Sequence, residues 1–138
     1  MEISLNETAS QAANSARASG ATAISERDAK VLLRAAGIAA PQGVFLQKAD
    51  GVTEAALAGL RRPLVAKVLT RDGAHKSDFG GVRLGLRSAT EIKAALNEIG
   101  KAAENAGAAL DGFLVEEQSP AGIEMVVGGF WDPRLGPC

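Results

Sequence analysis

Three short stretches carry side chains able to handle a phosphoryl group. The first is Leu64-Val65-Ala66-Lys67-Val68-Leu69, which reads as a strand apolar on both faces, with Lys67 on the same face as Val65 and Leu69. An ammonium there is costly to desolvate unless an anion or a carboxylate meets it. Phosphate is one such anion. The alternative is a lysine on an edge strand whose stem lies along the sheet while its head reaches water.

The second stretch is Ala74-His75-Lys76-Ser77-Asp78-Phe79-Gly80-Gly81-Val82. Adjacent Gly80 and Gly81 permit positive φ and leave backbone N–H groups able to face an anion. His75 is the one histidine in the chain, and at neutral pH its ring offers an uncharged nitrogen as nucleophile or base. Taken alone, it reads more readily as an idle surface histidine. A metal site built from His75 and Asp78 is rejected, because two potential ligands three residues apart on a loop are common. The third stretch, Val115-Glu116-Glu117-Gln118, turns from apolar to acidic just before a turn, with Glu124 on the following segment. Carboxylates at a strand end are otherwise simply solvated.

These groups need a scaffold, and the hydrophobic pattern supplies one. Ser25 predicts a helix N-cap, followed by Glu26 and Asp28 in the first turn, apolar Ala29, Leu32, Leu33 and Ala36 on one face, and Gly37 as the stop. Gly43 to Leu46 reads as a strand. Asp50 is expected to cap a helix through Glu54 and Leu57 to Leu60, stopped by Arg61, Arg62 and Pro63. Val82, Leu84 and Leu86 alternate with Arg83, Gly85 and Arg87 as a half-buried strand. Ser88 and Glu91 form a capping box before the stripe Ile92, Ala95, Leu96, Ile99 and Ala103, on a helix that fades near Gly107. Strands over Phe113 to Gln118 and Ile123 to Phe130 follow, separated by Ser119-Pro120-Ala121-Gly122. The element order predicts an α/β chain of α+β type, a mixed or antiparallel sheet covered by helices on one side.

Composition narrows the function further. The 138 residues suffice for one domain with a real core, and 15 Lys plus Arg against 16 Asp plus Glu create no basic field for nucleic acid or anionic lipid. No apolar run is long enough for a membrane helix. The one cysteine, Cys138, permits no internal disulfide and suits a reducing compartment, so a cytoplasmic location is expected. Residues 1–23 are rich in Ala, Ser, Asn and Gln, and are expected to form a flexible leader or a frayed helix.

Together, Ser25-Glu26 through Ala29-Lys30, Leu32-Leu33, Gly37-Ile38, Pro41 and Pro63 to Val68 resemble the opening of the ATP-grasp module in ADP-forming (nucleoside-diphosphate-forming) acyl-CoA synthetases, of the β-subunit type. His75-Lys76-Ser77-Asp78 with Gly80-Gly81-Val82 is similar to that family's hallmark loop. Gly112, Val115-Glu116-Glu117, Gly122, Glu124, Val127-Gly128 and Asp132-Pro133 are similar to its hinge and next strand. The resemblance implies a first ATP-grasp lobe over 24–118 and the start of a second lobe over 119–138. It also implies a parent enzyme that interconverts acid, CoA and ATP with acyl-CoA, ADP and phosphate through phosphohistidine.

By the same resemblance Lys67 holds the nucleotide phosphates, with Gly80 and Gly81 letting the loop approach them. Glu116, Glu117 and Gln118 meet the adenine, Glu124 lies near the ribose, and His75 carries phosphate. ATP or ADP is the implied ligand, and a CoA-binding domain or subunit the implied partner. The acidic residues that hold Mg2+ in the complete family module have no counterpart here, so we expect a portion that is not catalytic alone. Two other readings stand beside this one: a non-catalytic interaction module that forms homo-oligomers, and an ATP-grasp ligase with an amine acceptor. The His75 loop argues against the latter.

Overall fold

A computed structural model describes residues 24–70, 79–123, 125, 128 and 131–137, together with positions 10, 14 and 18. Helix α1 spans Glu26–Ala35. Its N-cap Ser25 accepts from the Asp28 N–H at 3.1 Å, and Gly37, with φ of +79°, ends it in the left-handed region. Strand β1 is Gly43–Leu46 and β2 is Leu64–Thr70. Then come β3, Val82–Leu86, helix α2, Ala89–Asn105, and β4, Leu110–Glu117. A short hairpin pairs β5, Trp131–Asp132, with β6, Gly136–Pro137.

The main sheet has the order β1-β4-β2-β3, antiparallel throughout. Of the mixed and antiparallel sheets expected, the second is present. Central β2 and β4 pair in the register Val65 with Glu116, Ala66 with Val115 and Lys67 with Leu114. Alternation then separates two faces. Leu64, Ala66, Val68, Phe113 and Val115 pack in one cluster with Ile92, Leu96, Ile99 and Ala103 of α2. Val65, Lys67, Leu114 and Glu116 occupy the opposite face. The stripe expected on α2 is therefore the stripe that is buried, and Ser88 caps the helix by accepting from the Glu91 N–H at 3.2 Å. The Glu91 carboxylate closes the reciprocal contact one residue earlier than in the usual box, on the Arg87 N–H at 2.7 Å.

The structure corrects three expectations. The helix expected from Asp50 to Leu60 does not form: Ala49–Gly51 is a single 3-10 turn, and 54–59 are turns. Asp50 instead pairs with Lys93 of α2 at 2.8 Å, while Thr53 Oγ1 accepts from the Ala56 N–H. Second, helices do not confine themselves to one side. Whereas α2 covers one face, α1 sends Glu26 and Lys30 to the other. Third, Ile123, Met125 and Gly128 are not in a strand, and the rest of the expected strand to Phe130 lies outside the described residues. Within the expected leader, Ser10, Asn14 and Ala18 are helical.

Gly112 shows how closely β1 and β4 approach. A Cβ there would lie 2.6 Å from Phe45 Cε2 and 2.9 Å from the Leu46 carbonyl oxygen, on a backbone with φ of +151°. Gly112→Ala should therefore lower stability by about 1–3 kcal/mol in urea denaturation. Gly107 has φ of +71° but open space around it, so Gly107→Ala should show the backbone cost alone. Equal losses at both positions would mean that Phe45 simply moves aside.

Candidate functional site

Lys67 sits on a central strand between β4 and β3, so it is not the edge-strand lysine whose head escapes to water. Its ammonium is met by carboxylates from two directions: Glu116 Oε1 of β4 at 2.6 Å and Glu26 Oε1 of α1 at 2.8 Å. Lys30 of α1 touches the same two residues, Glu26 Oε1 at 2.8 Å and Glu116 Oε2. Two lysines and two glutamates thus alternate around a closed ring with no net charge.

Each member has a local cause. Glu26 and Lys30 lie four residues apart with the acid N-terminal, the favoured orientation on a helix. The sheet register puts Glu116 opposite Val65, which makes it the diagonal neighbour of Lys67 on one face. Glu116 is 3% exposed and would be a costly charge without its two cations. Among the described residues no buried side-chain polar atom lacks a hydrogen-bond partner.

The ring also fixes protonation. Burial alone would pull the Lys67 ammonium down, but hydrogen bonds to Glu116 and Glu26 outweigh it and hold its pKa above the ordinary lysine value. Because the folded value is the higher one, its contribution to stability is complete at neutral pH. That contribution is lost only as pH rises through the raised value. Lys67 is therefore a standing positive charge.

Glu116, Glu117 and Gln118, at the end of β4, make separate contacts. Glu116 points into the ring. The Glu117 carboxylate accepts from the Arg61 guanidinium at 2.8 Å and from the Arg61 backbone N–H at 3.0 Å. Gln118 Oε1 accepts from the Gly85 N–H at 2.8 Å, tying the end of β4 to edge strand β3, while the Gln118 N–H donates to the Pro63 carbonyl. All three line a cleft of about 630 Å³ together with Val65, Lys67, Val82, Leu84 and Ile123. Leu84 and Ile123 leave 65% and 93% of their surface exposed, so the cleft has apolar walls facing solvent.

Of the two glycines before β3, Gly80 has φ of +71°, a conformation that favours glycine. The Gly81 carbonyl accepts from the Val68 N–H at 3.0 Å and anchors the start of β3 beside β2. His75 and Glu124 lie outside the described residues. Sequence reading did not assign Glu26 or Lys30 a place in this site. The signal that points to them is their i, i+4 pairing together with the partner that a half-buried Lys67 requires.

The side-chain hydrogen bond from Arg61, then the one from its backbone N–H, holds the Glu117 carboxyl below the ordinary glutamate value. A depressed folded pKa stabilises above the unfolded value, and the effect is lost as pH falls through the folded one. Carbonyl NMR titration should therefore place the Glu117 midpoint below that of a free glutamate, and Arg61→Ala should raise it. An unmoved midpoint would show that the contact does not persist in solution.

The chain thus has an antiparallel sheet backed by a helix, with a half-buried lysine on a central strand and an acidic segment closing a cleft beside it. Residues 15–138 match the ATP-grasp domain, and the chain belongs to that family. Curated relatives of the chain include CoA ligases. It is 40% identical over 116 residues to a trans-feruloyl-CoA synthase from an unknown prokaryotic organism, covering 83% of this chain and 16% of the relative. It is 32% identical over 116 residues to the β subunit of the ADP-forming acetate–CoA ligase I of Pyrococcus furiosus, covering 82% of this chain and 49% of the subunit.

The fold agrees with that of the dinucleotide-forming acetyl-coenzyme A synthetase 1 of Ca. Korarchaeum cryptofilum. In complex with coenzyme A and Ca-AMPCP, that enzyme superposes with a TM-score of 0.81 at 29% identity, over 91% of this chain and 55% of the other. In a second complex, with coenzyme A and Mg-AMPPCP, its phosphohistidine segment points towards the nucleotide-binding site (TM-score 0.72, 29% identity, 94% and 54% covered). The chain spans between about one sixth and half of the length of the curated relatives described here. It is homologous to the nucleotide-binding part of ADP-forming acyl-CoA synthetases.

Proposed function

We propose that the cleft between β3 and the segment after β4 binds ATP or ADP, and that the chain is the nucleotide-binding portion of an ADP-forming acyl-CoA synthetase. The complete enzyme converts an acid, CoA and ATP into acyl-CoA, ADP and phosphate, and the reverse. The observation that carries this reading is a charged Lys67 on a central strand, opening into a cleft lined on one side by apolar Val65, Val82, Leu84 and Ile123 and closed by the segment Glu116 to Gly122. A nucleotide needs both, a cation for its phosphates and flat apolar surface for its base.

In this reading Lys67 takes the phosphates. The backbone of Glu116 to Gln118 faces the adenine edge, since the Glu117 and Gln118 side chains already have partners on Arg61 and Gly85. Glu124 lies near the ribose, and Gly80 and Gly81 shape the loop that approaches the phosphates. His75 carries phosphate between the nucleotide and a CoA-binding domain or subunit. Residues 24–118 form the first lobe and 119–138 open the second. Among the described residues no three His, Cys, Asp or Glu side chains gather as a metal site. In this reading the Mg2+ that accompanies the nucleotide would be held by the acidic residues of the complete family module. Among the described residues no helix is long and apolar enough to cross a membrane.

Calorimetric titration of the purified chain with ADP and with ATP plus magnesium tests the reading directly. Saturable binding at a single site is expected. A folded chain that takes up no nucleotide at millimolar concentrations would count against this cleft as the site.

A further inference from the structure

The ring that holds Lys67 also stands in the way of its proposed ligand. Both carboxylates that partner Lys67 carry the same sign as a polyphosphate, and one of them, Glu116, lines the nucleotide cleft. An anion reaching Lys67 must displace Glu26 or Glu116 from it, and must then sit beside whichever stays. Like charges in a partly buried site repel strongly, so the exchange needs a second cation to take the carboxylates over.

Lys30 is placed for this. It is already within bonding distance of Glu26 Oε1 and of Glu116 Oε2, the oxygen that Lys67 does not use. Its side chain is 15% exposed and comes from α1, and Lys30 is not among the residues lining the nucleotide cleft. A small rotation of either carboxylate towards Lys30 releases Lys67 without leaving any charge unpaired.

We propose that Glu26 and Lys30 form a charge-relay pair for nucleotide binding, in which Lys30 takes over the carboxylates that Lys67 gives up when phosphate arrives. Both are positioning residues, acting through Lys67 and Glu116 without touching the nucleotide. This inference rests on the nucleotide-site reading above.

The test is charge balance, read as ADP and ATP affinity on the full chain by calorimetry, with circular dichroism confirming the fold of each variant. Lys30→Met leaves two carboxylates on one lysine and should weaken binding on the order of tenfold or more. Glu26→Gln removes a competitor for Lys67 and should tighten binding several-fold. The double variant Glu26→Gln with Lys30→Met restores neutrality and should return affinity to within a few-fold of wild type, as should Lys30→Arg alone. A merely structural role predicts the opposite for the double variant, which would then bind no better than Lys30→Met.

If Lys30→Met does not fold, Glu26→Gln alone decides, and unchanged or weaker binding in it overturns the proposal. Wild-type binding that depends on Lys67 but ignores Lys30→Met overturns the relay and leaves the nucleotide site standing. Wild-type binding that ignores Lys67 overturns both.

Discussion

Lys67→Met should lose nucleotide affinity by roughly 30- to 150-fold, the equivalent of about 2–3 kcal/mol for charge-assisted hydrogen bonds to phosphate. The chain should nevertheless fold. Methionine keeps the length of the stem along the sheet, and both Glu116 and Glu26 retain Lys30 as a partner. Calorimetric titration with ADP and Mg-ATP measures the first effect, and thermal unfolding the second. Undiminished affinity in a folded variant would move the phosphates away from Lys67. A collapsed fold would instead make Lys67 a structural residue first.

Glu116→Ala should have the largest effect on stability among changes in the site, about 3 kcal/mol by urea denaturation. It removes the carboxylate shared by Lys30 and Lys67 and leaves two lysines on Glu26 alone. The figure is at the low end for a broken buried pair because both lysine side chains are partly exposed. The adjacent Glu117→Ala is the control. Its partner Arg61 is 88% exposed, and a surface pair of that kind contributes little. Should both substitutions cost the same, the ring would not be what holds the lysines in place.

What could be read from the sequence was what short-range physics decides. Ser25 and Ser88 cap helices because their hydroxyls reach N–H groups three residues on, and the α2 stripe follows from helical spacing. Segment 49–60 was misread because a possible cap and several alanines suggest a helix, whereas Asp50 is drawn instead to Lys93 more than forty residues away. The start of β4 at Leu110 was missed because Asp111 and Gly112 look like loop. The strand runs through them with an irregular register opposite Leu69 and Thr70.

The site was legible in its parts but not in its wiring. Lys67 demanded an anionic partner, and a nearby acidic segment was visible. Only the register of β2 against β4 shows that Glu116, and not Glu117, faces it. The helical pair Glu26 and Lys30 was visible as helix chemistry, but nothing local says which face of the sheet it will meet. Resemblance to the acyl-CoA synthetases supplied the family and grouped these segments. The carboxylate ring is a matter of packing.

The strand order β1-β4-β2-β3 bears on how the molecule assembles. In the main sheet β1 has β4 as its sole neighbour, and β4 lies more than sixty residues later in the chain. During synthesis β1 therefore leaves the ribosome first and finds no backbone partner until residues 110–117 emerge. By then β2, β3 and α2 have been made and can associate through nearer contacts. Insertion of β4 between β1 and β2 closes the sheet and joins Glu116 to the lysines in the same event. The ring of Glu26, Lys30, Lys67 and Glu116 should thus appear late and all at once, at the pace of a long-range strand pairing.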